Sequence, residues 1–220
     1  MSESSLNLQI KKTAGYRVVR LIVVSVWWVM FRPRVVGAEN IPAVGPVVLA
    51  PIHRSNIDFA FLVFATDRKT FFMGKDSLWK IRPIGRLISL MGAFPVRRGT
   101  ADRESLKHAQ EVLNEGQALV LFPEGTRQEG DEVGPLFEGA MFIASRAGAP
   151  VIPVGLGNTE KAMRKGSKFP RPVRTTVVIG TPILAPTSES RVTRSELTAA
   201  TEMLRNGLQE SYDRARALLN

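Results

Sequence analysis

The sequence predicts an α/β fold, a single domain with a central, mostly parallel or mixed sheet flanked by helices. Short β-branched runs alternate with stretches of helical periodicity, the pattern of strands interleaved with helices. The predicted strands are a run from Val35 and residues 47–50, 70–73, 93–96, 118–122, 151–156 and 173–179. The chain has 220 residues, of which 44% are hydrophobic, so it suffices for one sizeable domain and not comfortably for two.

Helices are predicted between these strands, with start and stop signals at several of them. The predicted helical segments are residues 59–64, 75–90 in two pieces, 101–114, 137–146 and 193–218. Asn56 or Asp58 is expected to cap the first of them, and Thr100 to cap the helix from residue 101. Gly148 is the expected stop of the helix at 137–146. His108, inside a polar helix, is interpreted as an ordinary surface residue.

The N-terminal region contains the most lipid-like segment of the chain. Residues 21–31 carry no charged side chain and include Trp27 and Trp28. As a helix this stretch spans roughly 16 Å, about half of a hydrocarbon core of ~30 Å. The arginines that flank it are Arg17, Arg20, Arg32 and Arg34. We therefore predict a membrane-interface helix within an N-terminal segment 1–34, followed by one domain at 35–220; a buried core helix is the alternative.

Composition restricts the chemistry that the protein can perform. The net charge of +10 indicates an anionic partner, such as a membrane surface or a phosphate-bearing substrate. Nucleic acid is not expected, because the sequence has no recognition-helix pattern, aromatic RNA-binding motif or zinc finger. Without cysteine and with two histidines, the chain offers no disulfide, no thiolate nucleophile and no predicted metal site. The absence of cysteine suits a reducing cytosol.

A histidine and an aspartate follow the strand at 47–50. His53 comes two residues after Pro51, and Asp58 stands where the next helix begins. On one helix their side chains would be about 140° apart, so a loop folding back onto the helix start is needed to join them. Asp58 could then fix one imidazole nitrogen and leave the other as a base. A capping aspartate with an unrelated loop histidine is the alternative.

Other chemically active residues also follow the ends of predicted strands, namely Arg98, residues 124–127 and Gly157. In open α/β sheets the ligand crevice lies beyond the carboxyl ends of the strands, so these stretches are expected to face one pocket. Gly125 permits close backbone approach, and Thr126 offers a hydroxyl donor. Arg98 and Arg127 suit bidentate capture of a phosphate. A turn glycine and surface arginines are the alternative interpretation.

Four blocks in order carry a family resemblance. They are His53-Arg-Ser-Asn-Ile-Asp58, Gly92-Ala-Phe-Pro-Val-Arg-Arg98, Phe122-Pro-Glu-Gly-Thr-Arg127 and Val151-Ile-Pro-Val-Gly155. In these blocks the chain resembles the PlsC-like glycerophospholipid acyltransferases, the family of 1-acylglycerol-3-phosphate O-acyltransferases. Three positions depart from the family pattern: Ile52 where asparagine is frequent, Arg97 where an acidic residue is frequent, and Glu138 where lysine is frequent.

The resemblance implies transfer of a fatty acyl group from acyl-CoA or acyl carrier protein to a hydroxyl of lysophosphatidic acid. His53 would be the general base and Asp58 its orienting partner. The implied substrate-binding residues are Arg98, Glu124, Gly125, Thr126 and Arg127, with Glu124 also expected to brace its loop. No cofactor is implied beyond the thioester co-substrate.

The resemblance also implies a peripheral or monotopic position on the cytoplasmic face of the cell membrane. Three alternatives remain open for the activity. The acceptor is another lysophospholipid or glycerol 3-phosphate, or water replaces it in a thioesterase or lipase, or the protein binds anionic lipid without turnover.

Overall fold

The computed structural model describes residues 13–96, 103–164, 166–167, 169–187 and 192–219. Its strands form one sheet in the order β1-β7-β6-β2-β5-β3-β4, with β8 also paired to β6. The strands are β1 (Arg34–Val36), β2 (Val47–Pro51), β3 (Thr70–Lys75), β4 (Ala93–Val96), β5 (Ala118–Val120), β6 (Pro150–Gly157), β7 (Thr176–Ile179) and β8 (Ile183–Leu184). The prediction of an α/β domain with a mixed central sheet is confirmed.

Helices and helical turns connect the strands. The α-helices are α1 (Ala14–Phe31), α2 (Asp58–Phe61), α3 (Arg82–Leu90), α4 (Arg103–Asn114), α5 (Gly139–Ala147), α6 (Thr159–Ala162) and α7 (Arg194–Ala217). The 3₁₀ turns are Ala38–Asn40, Leu62–Phe64 and Asp76–Lys80. The last of these and α3 are the two helical pieces expected within residues 75–90.

The direction of the strands brings their ends together at one edge of the sheet. Strands β2 to β6 are parallel, whereas β7 is antiparallel to β6 and β1 is parallel to β7. The carboxyl ends of five strands therefore meet at a single edge, and β1 starts from the same edge. We call it the carboxyl edge of the sheet. In α/β sheets this edge is where ligands bind.

The core lies on both faces of the sheet, because the central strand β2 is buried along its whole length. On one face, Leu49 belongs to a cluster that includes Phe31 of α1 and Phe61 of α2. On the other face, Val48 belongs to a cluster with Leu113 of α4 and Met141 of α5. The two faces thus hold different helices, with α1 and α2 together on the Leu49 face.

Pro153 explains why β6 changes partner part-way along. Residues 150–151 of β6 pair with β8, whereas the pairing with β7 starts at Val154. Proline has no N–H to donate to a neighbouring strand, so the pairing is interrupted on this side of β6, while the pairing with β2 continues through Pro153. Gly180 bridges the gap by donating its N–H to the Pro153 carbonyl oxygen at 2.9 Å. The two-residue strand β8 was not predicted, because a pair of apolar residues among prolines gives no strand pattern.

Helix α1 packs against the domain along one side and exposes the other. Phe31 is wholly buried, and its ring centroid lies 5.2 Å from that of Phe61. Arg20 donates to the carbonyl oxygens of Val63 and Thr66 at 2.9 and 3.0 Å. Among the described residues, α1 is the one helix whose length and composition would let it cross a membrane, and 11% of it is buried. The opposite side of α1 is apolar and exposed.

Two local expectations are wrong. The residue at the N-cap of α2 is Ile57, which makes no capping bond, so neither Asn56 nor Asp58 caps this helix.

His108 is not a surface residue: it is 9% exposed, its ring lies edge-on to that of Phe94, and burial lowers its pKa. The proposed cap Thr100 lies outside the described residues.

Lys69 gives the stability of the fold a predicted pH dependence. It is 3% exposed, and its ammonium lies 5.1 Å from the ring centroid of Tyr16. Burial lowers the pKa of Lys69 from its usual 10.5 to about 8. The Lys69 amine therefore binds its proton more tightly in the unfolded chain than in the folded protein. The buried ammonium destabilises the fold by its full amount below about pH 8, and this destabilisation fades as the pH rises towards about 10.4.

We expect the free energy of unfolding of Lys69→Met minus that of the unmodified protein to be about 1–3 kcal/mol larger at neutral pH than near pH 10. The difference from the unmodified protein should shrink as the pH rises towards 10. Urea unfolding of both proteins across this pH range measures the effect. A difference that does not change with pH would contradict the assignment to the Lys69 charge.

Candidate active site

His53 and Asp58 form a close pair at the carboxyl edge of the sheet. Nδ1 of His53 lies 2.9 Å from Oδ2 of Asp58, although the residues are five apart in sequence. The chain between β2 and α2 folds back to bring them together, as the spacing required. Asp58 is fully buried and His53 is 8% exposed. The pair is therefore held by the protein and still open to the surface on the histidine side.

The contacts of Asp58 define which imidazole nitrogen carries the proton. Oδ2 of Asp58 accepts the backbone N–H groups of Arg54 and Ser55, both at 2.7 Å, in addition to facing His53. A carboxylate oxygen that already accepts two N–H groups is suited to accept a third from Nδ1. Nε2 of His53 is then the nitrogen left with a lone pair. Within the described part of the chain, Nε2 has no hydrogen bond.

The ring of His53 is also fixed from its flat side. It stacks on the ring of Phe122 with centroids 4.1 Å apart and planes inclined by 30°. Phe122 follows β5, the strand next to β2, and begins the third sequence block. Adjacent parallel strands thus supply the histidine and the surface that orients it.

Glu124 anchors the backbone of the same loop. Oε2 of Glu124 accepts the backbone N–H of His53 at 2.8 Å, and both carboxylate oxygens accept from Nη1 of Arg54 at 2.9 and 3.0 Å. The Glu124 side chain is 0% exposed. Its oxygens are enclosed and already accept these three hydrogen bonds, which fits the expected bracing role, whereas contact of Glu124 with substrate stays a prediction.

Arg54 is a residue that the sequence analysis missed. Its guanidinium side chain is 2% exposed. Besides Glu124, it donates to the carbonyl oxygens of Gly130 at 3.2 Å and Glu132 at 2.9 Å. It also lies 5.2 Å from the ring centroid of Tyr212 in α7. Arg54 therefore joins the histidine loop to the loop after the third block and to the C-terminal helix.

The outer part of the third block is open to solvent. Gly125, Thr126 and Arg127 are all exposed, beside the buried Glu124. Gln128 donates its backbone N–H to the carbonyl oxygen of His53 at 2.9 Å, so this loop adjoins the histidine. No hydrogen bond or ion pair joins the Arg127 side chain to another described residue. The Thr126 hydroxyl accepts from Nε2 of Gln128 at 3.1 Å and keeps its own hydrogen for donation. The loop that adjoins His53 thus offers a hydroxyl and a guanidinium donor to a ligand.

Arg98, the arginine of the second block, lies outside the described residues, and its predicted role stays a prediction. The preceding strand β4 ends at Val96 on the carboxyl edge. In the described ranges, no group of three His, Cys, Asp or Glu side chains is arranged to hold a metal ion.

Gly125 has a backbone conformation that favours glycine. Its φ is +68°, and an added Cβ would lie 2.7 Å from Cε2 of Phe137. A left-handed conformation costs an L-residue about 1–2 kcal/mol.

We expect Gly125→Ala to lower the free energy of unfolding by about that amount. Gly134→Ala is the matched control, because no atom lies within 4 Å of its Cβ position. Equal effects of the two substitutions in urea unfolding would contradict the prediction.

Comparison with known proteins identifies the family. Residues 32–157 match a family model described as Acyltransferase. Because this match covers more than half of the chain, the protein belongs to the acyltransferase family. The match includes the His53–Asp58 pair and the third block, and it confirms the family resemblance drawn from the sequence.

Curated relatives carry one shared description. The chain is 32% identical over 141 residues to the chloroplastic 1-acyl-sn-glycerol-3-phosphate acyltransferase BAT2 of Brassica napus. This alignment covers 63% of this chain and 41% of the relative. It is 29% identical over 181 residues to the 1-acyl-sn-glycerol-3-phosphate acyltransferase of Bacillus subtilis, in an alignment that covers 80% of this chain and 86% of the relative. The chain spans about two fifths to one half of the length of the plant relatives that it matches.

A solved structure shares the fold. The 1-acyl-sn-glycerophosphate (LPA) acyltransferase PlsC from Thermotoga maritima superposes with a TM-score of 0.72. The two chains are 24% identical, and the match covers 91% of this chain and 80% of the other. At this identity the likeness establishes the architecture of the sheet and its helices.

Proposed function

We propose that the protein transfers a fatty acyl group from a thioester to the free hydroxyl of lysophosphatidic acid, which yields phosphatidic acid. The observation that carries the proposal is the buried His53–Asp58 pair, with Nε2 unoccupied, in a chain of this family. Nε2 of His53 takes the proton of the acceptor hydroxyl as its oxygen attacks the thioester carbonyl carbon. Asp58 stabilises the imidazolium that forms.

The rest of the reaction follows from the same pair. When the tetrahedral intermediate collapses, the carbon–sulfur bond breaks and the thiolate takes the proton back from His53. The products are an ester and a free thiol, and no acyl-enzyme is formed. The proposed reaction needs no metal and no cofactor besides the co-substrate, either acyl-CoA or acyl carrier protein.

The acceptor phosphate is proposed to bind at the exposed end of the third block. The guanidinium of Arg127 and the hydroxyl of Thr126 are donors suited to phosphate oxygens, and Gly125 gives their loop its left-handed turn. Arg98 is proposed as a second cation. Much of the rate would come from holding the acceptor hydroxyl near Nε2 of His53.

Membrane attachment is part of the proposal, because the acceptor is a lipid. The outer face of α1 exposes Leu21, Ile22, Trp28 and Val29, each more than half accessible. Exposed aliphatic and tryptophan side chains with arginine flanks favour a helix lodged at the membrane interface. We place the protein on the cytoplasmic face of the cell membrane as a peripheral or monotopic enzyme with an anionic surface as its partner.

One assay separates this function from its alternatives. Acyl transfer would be measured in detergent from two donors, palmitoyl-CoA and acyl carrier protein loaded with a fatty acyl group. The acceptors would be lysophosphatidic acid, other lysophospholipids and glycerol 3-phosphate. Thiol release and lipid product would be followed together, with His53→Ala alongside. We expect product on lysophosphatidic acid that disappears in the variant. Thiol release without lipid product would instead identify a thioesterase, and a folded protein that is inactive with every pair would support a lipid-binding role.

A further inference from the structure

A row of apolar side chains faces solvent just beyond β3. Leu78, Ile81, Ile84 and Leu87 are 45%, 55%, 42% and 47% exposed, and they recur at every third residue along the 3₁₀ turn and α3. We call these four side chains the α3 row. Single exposed apolar residues are normal on a protein surface, but a continuous row of aliphatic side chains marks an interaction site.

Trp79 explains why this row points outward. Its ring packs against the sheet and the helix at two glycines, where an added Cβ on Gly74 or Gly85 would lie 3.0 Å from the ring. Trp79 also donates its indole N–H to the hydroxyl of Ser89 at 2.9 Å. The tryptophan therefore fills much of the inward side of the segment, and the four aliphatic side chains of the α3 row remain about half exposed.

Cations surround the α3 row. Lys75, Lys80, Arg82 and Arg86 are all exposed, and no ion pair joins any of them to another residue within the described ranges. One acidic residue, Asp76, lies in the same segment. Aliphatic side chains bordered by lysine and arginine match an anionic lipid surface, where the chains enter the interface and the cations meet headgroup phosphates.

The position of the α3 row relates it to α1. Phe72 and Gly74 share one face of β3, and Trp79 packs against Gly74 on that face. The ring of Phe72 stacks on that of Phe59 in α2, and α2 contacts Phe31 of α1 through Phe61. Both apolar surfaces thus lie on one face of the sheet, and the turn at Asp76–Lys80 starts from its carboxyl edge.

We propose that the α3 row and its cations form a second membrane-binding surface, which inserts into an anionic lipid interface together with the outer face of α1. The inference rests on the proposed function in one respect, that the acceptor is a membrane lipid. Contact at two separated places fixes the orientation of the domain, whereas α1 alone would leave it free to rotate. The His53 edge is then held towards the lipid from which the acceptor comes.

The absence of cysteine from the sequence allows a direct test with single labels. A polarity-sensitive fluorophore would be attached to Ile81→Cys, to Leu21→Cys in α1, and to Leu184→Cys as a control that is 81% exposed in the native protein. Each labelled protein would be mixed with phosphatidylcholine vesicles, with or without phosphatidylglycerol. We expect a blue shift at Ile81 and Leu21 with the anionic vesicles, and none at Leu184.

The contribution of the cations would be measured with a charge variant of the full chain. Lys80→Gln/Arg82→Gln/Arg86→Gln should lower partition into anionic vesicles by about a hundredfold, since each of the three basic residues near such a surface contributes roughly fivefold. Lys107→Gln/Arg146→Gln/Arg194→Gln removes the same charge from exposed positions on other helices and should change partition much less. Both variants should keep full acyl transfer in detergent.

The outcomes separate this inference from the proposed function. A shift at Leu21 with none at Ile81 would overturn the second surface and leave attachment through α1. A blue shift of the label at position 81 with acyl carrier protein, but not with vesicles, would overturn the second membrane-binding surface. It would indicate instead that the α3 row contacts the protein that carries the acyl donor. No shift at either position would overturn membrane binding by both surfaces, while the detergent assay with His53→Ala would still decide the reaction.

Discussion

Replacing His53 by alanine is expected to lower kcat by about a thousandfold, within the range that a positioned general base contributes. The substitution removes the only unoccupied imidazole nitrogen at the carboxyl edge. It leaves Asp58 with the backbone N–H groups of Arg54 and Ser55, so the loop keeps most of its contacts. We therefore expect the free energy of unfolding to change by only about 1 kcal/mol. Steady-state acyl transfer and urea unfolding of the same preparations measure both quantities.

His108 supplies the matched control for this prediction. It is the other histidine of the chain, and it is buried against Phe94 rather than placed at the site. His108→Gln should retain activity once corrected for the folded fraction. A His53→Ala protein with more than about a tenth of the normal kcat would rule out general-base catalysis by this residue. Asp58→Asn should resemble His53→Ala in kcat, because an amide presents the wrong partner to Nδ1.

The second large effect is expected at the buried pair of Arg54 and Glu124. Replacing Glu124 by glutamine should lower the free energy of unfolding by about 3–5 kcal/mol, because it leaves the Arg54 guanidinium buried without its countercharge. Activity should fall as well, since Glu124 also accepts the backbone N–H of His53. Urea unfolding and acyl transfer at a temperature where the variant remains folded measure the two consequences.

An exposed ion pair gives the comparison. Nη2 of Arg216 lies 2.6 Å from Oδ2 of Asp131, and the two side chains are 39% and 68% exposed. Asp131→Asn should cost less than about 1 kcal/mol, the usual value of a surface pair. The double variant Arg54→Met/Glu124→Met should recover part of the stability lost in Glu124→Gln, because no unpaired charge remains. If Glu124→Gln were as mild as Asp131→Asn, burial of the pair would not determine its contribution.

The strands and the histidine–aspartate pair could be predicted because their signals are local. A β-branched run such as residues 173–179 carries its own strand preference. Helix geometry requires a fold-back if His53 and Asp58 are to meet, and the family resemblance favours this pair over an unrelated capping aspartate. The convergence of the sequence blocks follows from the general behaviour of parallel strands. For these features the physical cause lies within a few residues of the effect.

Features that depend on partners distant in sequence could not be predicted in the same way. Arg54 follows His53 without any mark of burial, and its partner Glu124 is 70 residues away. His108 looks polar in its helix, yet the side chain it contacts, Phe94, belongs to β4. Each case was decided by tertiary contacts.

The burial of Phe31 limits how this protein can be shortened for study. A soluble form would ordinarily be sought by deleting the apolar N-terminal helix and starting near Arg34. That deletion would also remove a side chain that is 0% exposed and touches Phe61, and loss of a buried phenylalanine typically costs about 3–5 kcal/mol. Helix α1 is thus part of the core as well as the proposed membrane attachment, so detergent rather than truncation suits purification of the protein.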